Sequence, residues 1–425
     1  MKRILMLNSL PVVNFDVKNQ EKKTAGNQTL YNTLKGYSDN GYAVTMITCF
    51  GVPKVSNPFP NITVRRSSFF MLFNIVMKLK QGFLNFFKKR EHKTNNKITT
   101  EISRTGSLKF FKYWEVCGYI EGLLLSRKIK PDLIYGYEIY STRPAKHLAD
   151  KLGLPCVSRF QGTELGFFDN KEKFNEAVCY IKGTEVPTDL IIMANDGTDG
   201  DKVLQKLKLD ENKVRFWVNG LHEKDKYIKY KKDAHFKKQM NLPDDAFIIC
   251  TANRFVDWKR IDRIIKMMSE LVKTNPNVYL IAIGDGPEKE AIMALSDSLK
   301  LTNVIFTGAM EHEDTIYQIA NSDLYITLNH SGNLGNSILE ALSLGIPVCT
   351  LKNDSVEKVL TNDQNAVLFN TVDEKMIANE LTILIKDENK QRYLKKNAKK
   401  YAENYLLSWP ERMELEIQDI NKLVN

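Results

Sequence analysis

The chain is poor in cysteine, and its cysteines form no pattern that would hold a metal or build a disulfide framework. Six cysteines are scattered over 425 residues, without a C-x-x-C pair and without the Cys/His spacing of a zinc site. Most of them fall in apolar runs. We therefore expect small, buried core residues in a reducing compartment, and no bound metal.

Long uncharged apolar runs are also absent. No stretch approaches the roughly 18 to 20 residues that a membrane-spanning helix needs. The apolar run at Ile4–Leu7 has about four residues, whereas a signal peptide needs roughly 7 to 15. The expected location is the cytoplasm. The chain has no internal repeats, low-complexity tracts or coiled-coil heptads of consequence.

Acidic residues are fewer than basic residues in this chain. Lys and Arg number 61 against 51 Asp and Glu, which gives a formal net charge of +10. Such a surplus can attract nucleic acid, anionic lipid or phosphorylated ligands. Because no RNA- or DNA-binding motif accompanies it, nucleic acid is not an expected partner.

Short apolar runs that alternate with loops and helical patterns make up most of the chain. They lie at 4–7, 41–48, 131–137, 154–160, 189–194, 214–218, 246–252, 278–283, 303–308, 323–328 and 348–351. This alternation predicts an α/β protein of two doubly wound domains. Asn219-Gly220 is a strong turn dipeptide. We place the interdomain hinge just after it, through Lys224–Lys238, and expect the neighbouring His222 to be a linker residue rather than a catalyst.

The stretch 330–350 combines a glycine loop, a helix and a strand. Gly332 and Gly335 allow the backbone to pass close to a ligand, and the helix predicted from Asn336 directs free N–H groups into that space. An anion such as phosphate fits there. Glu340 shares a helix face with Asn336 and would accept hydrogen bonds from ribose hydroxyls. The alternative is a buried helix whose glutamate is only a cap or a solvated group.

Two cations flank the loop at the end of another predicted strand. Arg254 and Lys259 follow the strand at 246–252 and precede a helical pattern. Open α/β sheets bind ligands at the carboxyl ends of their strands. Arg can fork onto phosphate oxygens, and Lys can act as a point charge. An isolated Arg and Lys at this spacing are usually solvated. Their interpretation as phosphate-binding residues therefore depends on the presence of Glu340 in the same chain.

Together these segments resemble a known signature. The matching residues are Gly335, Leu339, Glu340, Ala341, Gly345, Pro347 and Val348, preceded in the family's order by Arg254 and Lys259, the turn Gly284–Pro287, and Ala309-Met310. The pattern is similar to that of GT4-type retaining glycosyltransferases (glycosyl transferases group 1) of GT-B fold. The resemblance implies an α/β fold in which two Rossmann-like, doubly wound domains face each other across a cleft.

The resemblance also implies how the chain is divided. Residues 1–221 would form an N-terminal, acceptor-side domain, and residues 222–408 would form a C-terminal domain that binds a nucleotide sugar. The final helix, 409–425, would pack back on the first domain.

In this family the matching residues hold the donor. Arg254 and Lys259 would neutralise the diphosphate and so carry catalysis, and Glu340 would hold the ribose. The other implied donor-binding positions are Gly26, Gln161, Gly162, Met310, Gly332, Asn333, Leu334, Gly335 and Asn336. Two of them depart from the family. Gly332 stands where a Glu usually contacts the sugar, and Gln161 stands where a His-Gly-Thr-Asp loop usually has its histidine.

The implied activity is metal-independent transfer of a sugar, with retention, from a nucleoside diphosphate to a hydroxyl of a glycan or lipid-linked acceptor. Such enzymes assemble cell-surface polysaccharides and glycolipids. A UDP-sugar is the expected donor and no cofactor is expected. The leaving phosphate itself would take the acceptor proton, so no general base is assigned. Gly332 and Gln161 leave open a second reading, a non-catalytic GT-B subunit that acts as a membrane-associated partner.

Residues 69–93 are dense in aromatic side chains and lysines and poor in acidic residues. Rings in the acyl boundary and lysines near the headgroups would suit the interface of an anionic membrane. This would place a cytoplasmic protein peripherally on the inner face of the cell membrane. The alternative is an ordinary amphipathic helix packed on the N-terminal sheet.

Overall fold

Two compact units, each built on one β-sheet, make up the fold. The computed structural model describes residues 1–9, 28–49, 55–72, 98–165, 177–222, 227, 230 and 232–424. Unit 1 contains Met1–Ala194, Gly200–Trp217 and Met413–Asn425, and unit 2 contains Asn195–Asp199 and Val218–Arg412. The predicted site residue Gly26 and most of the predicted membrane segment 69–93 lie outside the described residues.

Unit 1 is a largely parallel sheet. Its strands are β1 (Arg3–Asn8), β2 (Ala43–Thr48), β3 (Val55–Phe59), β4 (Ile62–Arg66), β5 (Leu133–Tyr137), β6 (Cys156–Phe160), β7 (Leu190–Ala194) and β8 (Val214–Trp217), in the order β3-β4-β2-β1-β5-β6-β7-β8. Its helices are α1 (Gln28–Asp39), α2 (Ile98–Ile129), α3 (Ile139–Leu152), α4 (Val178–Thr184) and α5 (Gly200–Lys206). Strands β5, β6 and β7 are buried along their whole length, as expected for parallel strands covered on both faces.

The structure confirms the strands that the apolar runs predict in this unit. It also contains β3 and β4, which the sequence did not predict. These two strands pair antiparallel at one edge of the sheet. Strand β3 contains Pro58, which cannot donate to a ladder and is tolerated at a sheet edge. The apolar alternation is correspondingly weak there, so the sequence gives little sign of a strand.

Unit 2 is a parallel sheet of six strands in the described residues. They are β9 (Phe247–Ala252), β10 (Val278–Ile283), β11 (Val304–Gly308), β12 (Leu324–Thr327), β13 (Val348–Leu351) and β14 (Ala366–Phe369), in the order β11-β10-β9-β12-β13-β14. Its helices are α6 (Phe236–Gln239), α7 (Ile261–Leu271), α8 (Lys289–Ser298), α9 (His312–Ala320), α10 (Asn336–Ser343), α11 (Asp354–Glu357), α12 (Glu374–Lys386) and α13 (Glu388–Tyr405). The strand order reverses between β9 and β12, and sheets of this kind bind ligands at such a switch point.

The last helix, α14 (Trp409–Leu423), begins in unit 2 and continues into unit 1. Met413, Ile417 and Ile420 lie in the core of unit 1. An ideal Cβ added to Gly36 of α1 would stand 2.3 Å from Cγ of Met413. The absence of a side chain at position 36 therefore allows close packing of this helix on α1.

The structure divides the chain differently from the sequence in one loop. Residues 195–199 follow β7 of unit 1 but belong to unit 2. Within unit 2, Asn353 Nδ2 donates to the main-chain O of Gly197 at 2.8 Å, and the N–H of Ser355 donates to Oδ1 of Asp199 at 3.0 Å. These long-range contacts are invisible to local sequence patterns.

The boundary that the sequence places after residue 221 falls between Trp217 and Val218 in the structure. Leu221 N donates to the main-chain O of Leu407 at 2.9 Å, so the chain on both sides of the turn at Gly220 is held within unit 2.

Candidate functional site

The carboxyl edge of the unit 2 sheet is built from loops that are hydrogen-bonded to one another. Asn253 N donates to the main-chain O of Ile283 at 3.0 Å, and Gly284 N donates to the main-chain O of Gly308 at 2.9 Å. These bonds join the ends of β9, β10 and β11. Side chains in the loop after β9 are therefore held by its neighbours and not only by their own backbone.

Close backbone approach explains the two glycines of the turn after β10. Gly284 has a φ of +144°, and an ideal Cβ there would stand 1.8 Å from the main-chain O of Asn253. A Cβ on Gly286 would stand 2.2 Å from the main-chain O of Phe255. Phe255 N in turn donates to the main-chain O of Asp285 at 3.0 Å. The turn at Gly284–Gly286 therefore packs directly against the loop that carries Arg254.

Arg254 and Lys259 occupy this loop in different environments. Arg254 is exposed, and the structure gives its side chain no partner among the described residues. Lys259 is half-buried, and its Nζ lies 4.2 Å from the ring centroid of Trp258. Burial lowers the pKa of Lys259 to about 8, although the carboxylate of Asp196 opposes the change. Arg254 is therefore exposed to solvent, whereas Lys259 is half-buried.

The loop between β12 and α10 is fixed by its own buried amides. Oδ1 of Asn333 accepts from the N–H of Asn329 at 3.0 Å, and its Nδ2 donates to the main-chain O of Asn329 at 3.1 Å. Asn329 Nδ2 donates to the main-chain O of Gly332 at 3.0 Å. The side chain of Asn333 therefore shapes the loop from within, which is a different role from the predicted contact with a ligand.

Gly332 lies beside the Lys259 loop. Its φ of +69° is in the left-handed region, and a Cβ there would stand 3.5 Å from Cζ3 of Trp258. The N–H of His330 also donates to the main-chain O of Trp258 at 2.8 Å. The loops after β9 and β12 are thereby joined at the switch point of the sheet. The left-handed backbone at Gly332 favours a glycine at this position.

The predicted anion-binding backbone needs one correction. The N–H of Leu334 donates to the main-chain O of Asp196 at 3.0 Å, and its side chain lies in the core. It is therefore engaged in the fold and is not free for a ligand. Gly335, in contrast, has no heavy atom within 4 Å of an ideal Cβ and caps α10 without a side-chain hydrogen bond. The open approach to the helix N-terminus is at Gly335 and Asn336, whose Oδ1 accepts from Nδ2 of Asn219 at 3.2 Å.

Glu340 lies on the buried face of α10 and is 5% exposed. Its Oε1 lies 2.7 Å from Nε2 of His312, the first residue of α9. The ring of His312 packs against that of His222, with centroids 4.7 Å apart. Met310, just before α9, is half-buried and packs against the core on this side of the sheet. The carboxylate is thus held in place by a histidine at the start of the neighbouring helix α9.

The two predicted site residues of unit 1 lie after β6. Gln161 Nε2 donates to the hydroxyl of Tyr137 at 2.6 Å, and Gln161 N donates to Oε1 of Glu138 at 2.8 Å. Gly162 has a φ of +129°, which a residue with a Cβ rarely adopts. The amide of Gln161 is therefore used to fix the loop within unit 1. Its proposed contact with a donor remains a prediction.

Sequence reasoning missed three residues of this site: Asp196, Trp258 and His312. Asp196 directly follows the apolar run of β7 in an Asn-Asp-Gly turn, a signal that could have placed it at a strand end. Trp258 stands between the two predicted cations. His312 carries no local signal, because its partner Glu340 is brought near it only by the fold.

The described residues contain no group of three or more His, Cys, Asp or Glu side chains arranged to hold a metal ion. No helix among them is both long and apolar enough to cross a bilayer. The six cysteines are free and buried, as the sequence predicts.

This chain is similar to known proteins in two respects: part of its sequence, within the second unit, matches a family model, and its fold matches solved structures. Residues 231–401 match the family described as glycosyl transferases group 1. The chain is 26% identical over 204 residues to an uncharacterized glycosyltransferase of Methanocaldococcus jannaschii, an alignment that spans 47% of this chain and 49% of that protein. It is 27% identical over 206 residues to the capsular polysaccharide biosynthesis glycosyltransferase CapM of Staphylococcus aureus, across 48% of this chain and 54% of CapM. The chain therefore spans about half the length of these curated relatives.

Among solved structures, the chain is similar to Anabaena HepE in complex with UDP and glucose. The TM-score is 0.68 at 16% identity, and the match covers 99% of this chain and 100% of HepE. At this identity the likeness bears on the fold, which is GT-B: an α/β chain with two parallel-sheet units.

Proposed function

We propose that this protein is a retaining glycosyltransferase, because residues 231–401 match the family described as glycosyl transferases group 1. It moves a sugar from a nucleoside diphosphate to a hydroxyl acceptor without a metal ion. The observation that carries the proposal is that the loop carrying Arg254 and Lys259 contacts the loop before α10, through Trp258, at the switch point of the unit 2 sheet. UDP is the proposed nucleotide, and the UDP found with HepE supports that choice.

The chemical demand on such an enzyme is to stabilise the negative charge that grows on the departing diphosphate. Preorganised cations and helix N-termini meet this demand, because they need little rearrangement as the charge develops. Arg254 would fork onto phosphate oxygens, and Lys259 would contribute a point charge whose strength is increased by its partial burial. The N-terminus of α10 at Gly335 and Asn336 would contribute main-chain N–H groups.

Glu340 would accept hydrogen bonds from the ribose hydroxyls of the nucleotide. Its burial and its contact with His312 support a fixed carboxylate. A preoriented acceptor loses little conformational entropy when a ligand binds. Met310 would then lie against the base, as the family resemblance implies.

The proposed acceptor is a glycan or a lipid-linked glycan used to build the cell surface. Similarity to a capsular polysaccharide glycosyltransferase supports this class. A peripheral position on the inner face of the cell membrane, through residues 69–93, fits a lipid-linked acceptor. Reversing the charges of Lys88, Lys89 and Arg90 to Glu should weaken binding to anionic liposomes, and unchanged binding would remove the membrane from the proposal.

The first experiment identifies the donor and then removes one cation. Thermal-shift screening against UDP-, GDP- and CMP-sugars selects a donor, because a ligand that binds only the folded state raises its melting temperature. Lys259→Ala should then raise the Kd of that donor roughly 10- to 100-fold, since losing an interaction with a charged group costs about 1.5–3 kcal/mol.

Lys266→Ala is the matched control. Lys266 is an exposed lysine of α7 whose Nζ lies 3.7 Å from Oδ2 of Asp262, and its loss should leave donor binding unchanged. Equal turnover of Lys259→Ala and wild type with every donor would refute the phosphate role. Donor binding without hydrolysis or transfer of a labelled sugar would instead support the non-catalytic subunit, which Gly332 and Gln161 leave open.

A further inference from the structure

A histidine and a buried glutamate meet near the carboxyl edge of the unit 2 sheet. Glu340 lies on α10 and is 5% exposed, and His312, which follows β11, is the first residue of α9. The two residues are 28 positions apart in the chain, yet Nε2 of His312 lies 2.7 Å from Oε1 of Glu340. A buried carboxylate is costly unless it accepts hydrogen bonds. His312 supplies such a bond.

The direction of this bond follows from the chemistry of the two groups. An ionised carboxylate can only accept hydrogen bonds, so Nε2 of His312 carries the proton that the bond uses. Among the described residues, no donor bonds the second carboxylate oxygen, Oε2 of Glu340, and this oxygen is not one of the fully enclosed polar atoms that lack a partner. Oε2 is therefore the oxygen that is left for a ligand.

The ring of His312 is itself held in place. It packs against the ring of His222, with centroids 4.7 Å apart and an interplanar angle of 49°. His222 directly follows Leu221, whose main chain is bonded in both directions. Its N–H donates to the main-chain O of Leu407 at 2.9 Å, and its O accepts from the N–H of Trp409 at 2.8 Å. The sequence predicts a linker residue at position 222, whereas the structure places its ring beside this contact.

The contact has two conceivable roles: it ties α9 to α10, or it orients the carboxylate for a ligand. A structural tie gains little from a buried charge, because apolar residues of similar volume often stabilise such a contact at least as well. The side chain of His312 is 26% exposed and that of Glu340 is 7% exposed, so the contact is not sealed from solvent. Glu340 also belongs to the helix whose N-terminus is open at Gly335. Both observations favour the second role.

We propose that His312 is a positioning residue of the donor site. Its Nε2–H holds Oε1 of Glu340 and leaves Oε2 for the ribose hydroxyls of the nucleotide, while His222 supports its ring. Glu340 contacts the ligand, and His312 acts through Glu340. Because a fixed acceptor loses little conformational freedom on binding, His312 contributes affinity for the ribose and not for the base or the diphosphate. The inference rests on the proposed function for the identity of the ligand.

The test separates ribose recognition from the rest of nucleotide binding. Calorimetry on the full chain gives the Kd of UDP and the Kd of dideoxy-UDP, which lacks both ribose hydroxyls that Glu340 would bind. Wild type should bind UDP roughly 10- to 100-fold more tightly than dideoxy-UDP, as expected for hydrogen bonds to a charged group. His312→Leu should reduce this ratio to about threefold or less, with the Kd of dideoxy-UDP unchanged.

Two further variants show whether the effect belongs to the hydrogen bond. His312→Gln keeps an N–H donor in place of Nε2 and should retain most of the wild-type ratio. His147→Leu is the matched control, because His147 also contacts a glutamate, with its Nδ1 3.5 Å from Oε1 of Glu115 in unit 1. Both of its Kd values should equal those of wild type. The proposal is overturned if His312→Leu keeps the wild-type ratio or weakens both nucleotides equally, as loss of a merely structural contact would.

A second measurement applies if His312→Leu does not fold. It uses nitrogen-15 NMR of wild type labelled at its histidines. UDP should shift the Nε2 resonance of His312, whereas dideoxy-UDP should leave it unchanged. Equal shifts with the two nucleotides overturn the proposal.

Failure of the proposed function gives a different result. Loss of the ratio in His312→Leu, without transfer of any labelled sugar by wild type, would leave the role of His312 standing and remove the transferase. Sugar transfer by wild type, together with an unchanged ratio in His312→Leu, would do the reverse.

Discussion

Each unit of this protein contains a cation and a carboxylate that influence each other's pKa, and the two pairs differ in burial and in contacts. In unit 1, Arg159 and Glu416 form a closed ion pair with an N–O distance of 2.6 Å, with side chains 2% and 0% exposed. In unit 2, Lys259 lies in the loop after β9 and Asp196 in the loop after β7, and burial shifts the pKa of each toward its neutral form. The comparison separates charges that hold the fold together from charges available to a ligand.

The unit 1 pair is fully surrounded by hydrogen-bond donors. Oε1 of Glu416 accepts from the hydroxyls of Tyr37 at 2.7 Å and Tyr135 at 2.8 Å, while Oε2 accepts from Arg159. Burial lowers the pKa of Arg159, but Glu416 and the tyrosines raise it more, so the net direction is upward. Such a network has no capacity left for a ligand. It ties α14 to the sheet of unit 1.

The unit 2 pair is incompletely compensated. The ammonium of Lys259 lies 4.2 Å from the ring centroid of Trp258, and among the described residues no carboxylate accepts a hydrogen bond from it. A buried charge without full compensation costs stability. An anionic ligand would supply the missing interaction, which is why perturbed pKa values tend to mark functional sites.

The largest effect should come from breaking the unit 1 network. Glu416→Ala leaves Arg159 buried without its partner and should lower the free energy of unfolding by roughly 3–5 kcal/mol. Urea denaturation followed by tryptophan fluorescence measures this, and the loss should appear in the transition of unit 1.

Asp419→Ala on the same helix is its control. Asp419 pairs at 2.6 Å with Arg215, and the two side chains are 11% and 30% exposed. Because this pair is less buried than Arg159–Glu416, its loss should cost only about 1 kcal/mol. Equal losses for the two variants would contradict the distinction between closed and partly exposed pairs.

Two glycines of the unit 2 loop sharpen the contrast between fold and ligand site. At Gly335 the φ of −74° is compatible with alanine, and no heavy atom lies within 4 Å of the added Cβ. The free energy of unfolding of Gly335→Ala should therefore change by less than about 1 kcal/mol. The added methyl would obstruct a diphosphate, and the Kd of UDP should rise about tenfold, or about 1.4 kcal/mol.

Gly332→Ala places a Cβ at a φ of +69°, so its free energy of unfolding should instead fall by about 1–2 kcal/mol. Calorimetry and urea denaturation measure the two quantities, and unchanged UDP binding by Gly335→Ala would argue against an anion site there.

The smallest effect concerns the stability cost of Lys259. Its pKa of about 8 in the fold lies below the ordinary 10.5, so the folded state disfavours the charged form. This cost is fully present below about pH 8 and is relieved as pH rises toward 10.5. Lys259→Met should therefore raise the melting temperature at neutral pH by about 2 °C, with the difference shrinking through that window. Differential scanning fluorimetry over a pH series measures it, with Lys266→Met as control. A variant that melts lower than wild type at neutral pH would show that the ammonium stabilises the fold.

Much of the donor-site framework could be predicted from sequence because its signals are local. Apolar runs specify strands, and the glycines at 332 and 335 mark the loop before α10. Arg254 and Lys259 stand directly after a strand, where the topology of an α/β sheet brings ligands. What could not be predicted is which backbone groups remain available. Leu334 N–H is engaged by Asp196, whereas Gly335 is open, and only the folded loop distinguishes them.

The sequence by itself determined the α/β class, the two-part organisation and the residue types at the strand ends, since periodicity and turn chemistry act over a few neighbouring residues. The tertiary structure alone decided the partners: Glu416 with Arg159, Asp196 with Leu334, and His312 with Glu340. The physical reason is that an ion pair or a hydrogen bond depends on distance in space. Parallel crossovers bring together residues that are far apart along the chain, and no local pattern records that distance.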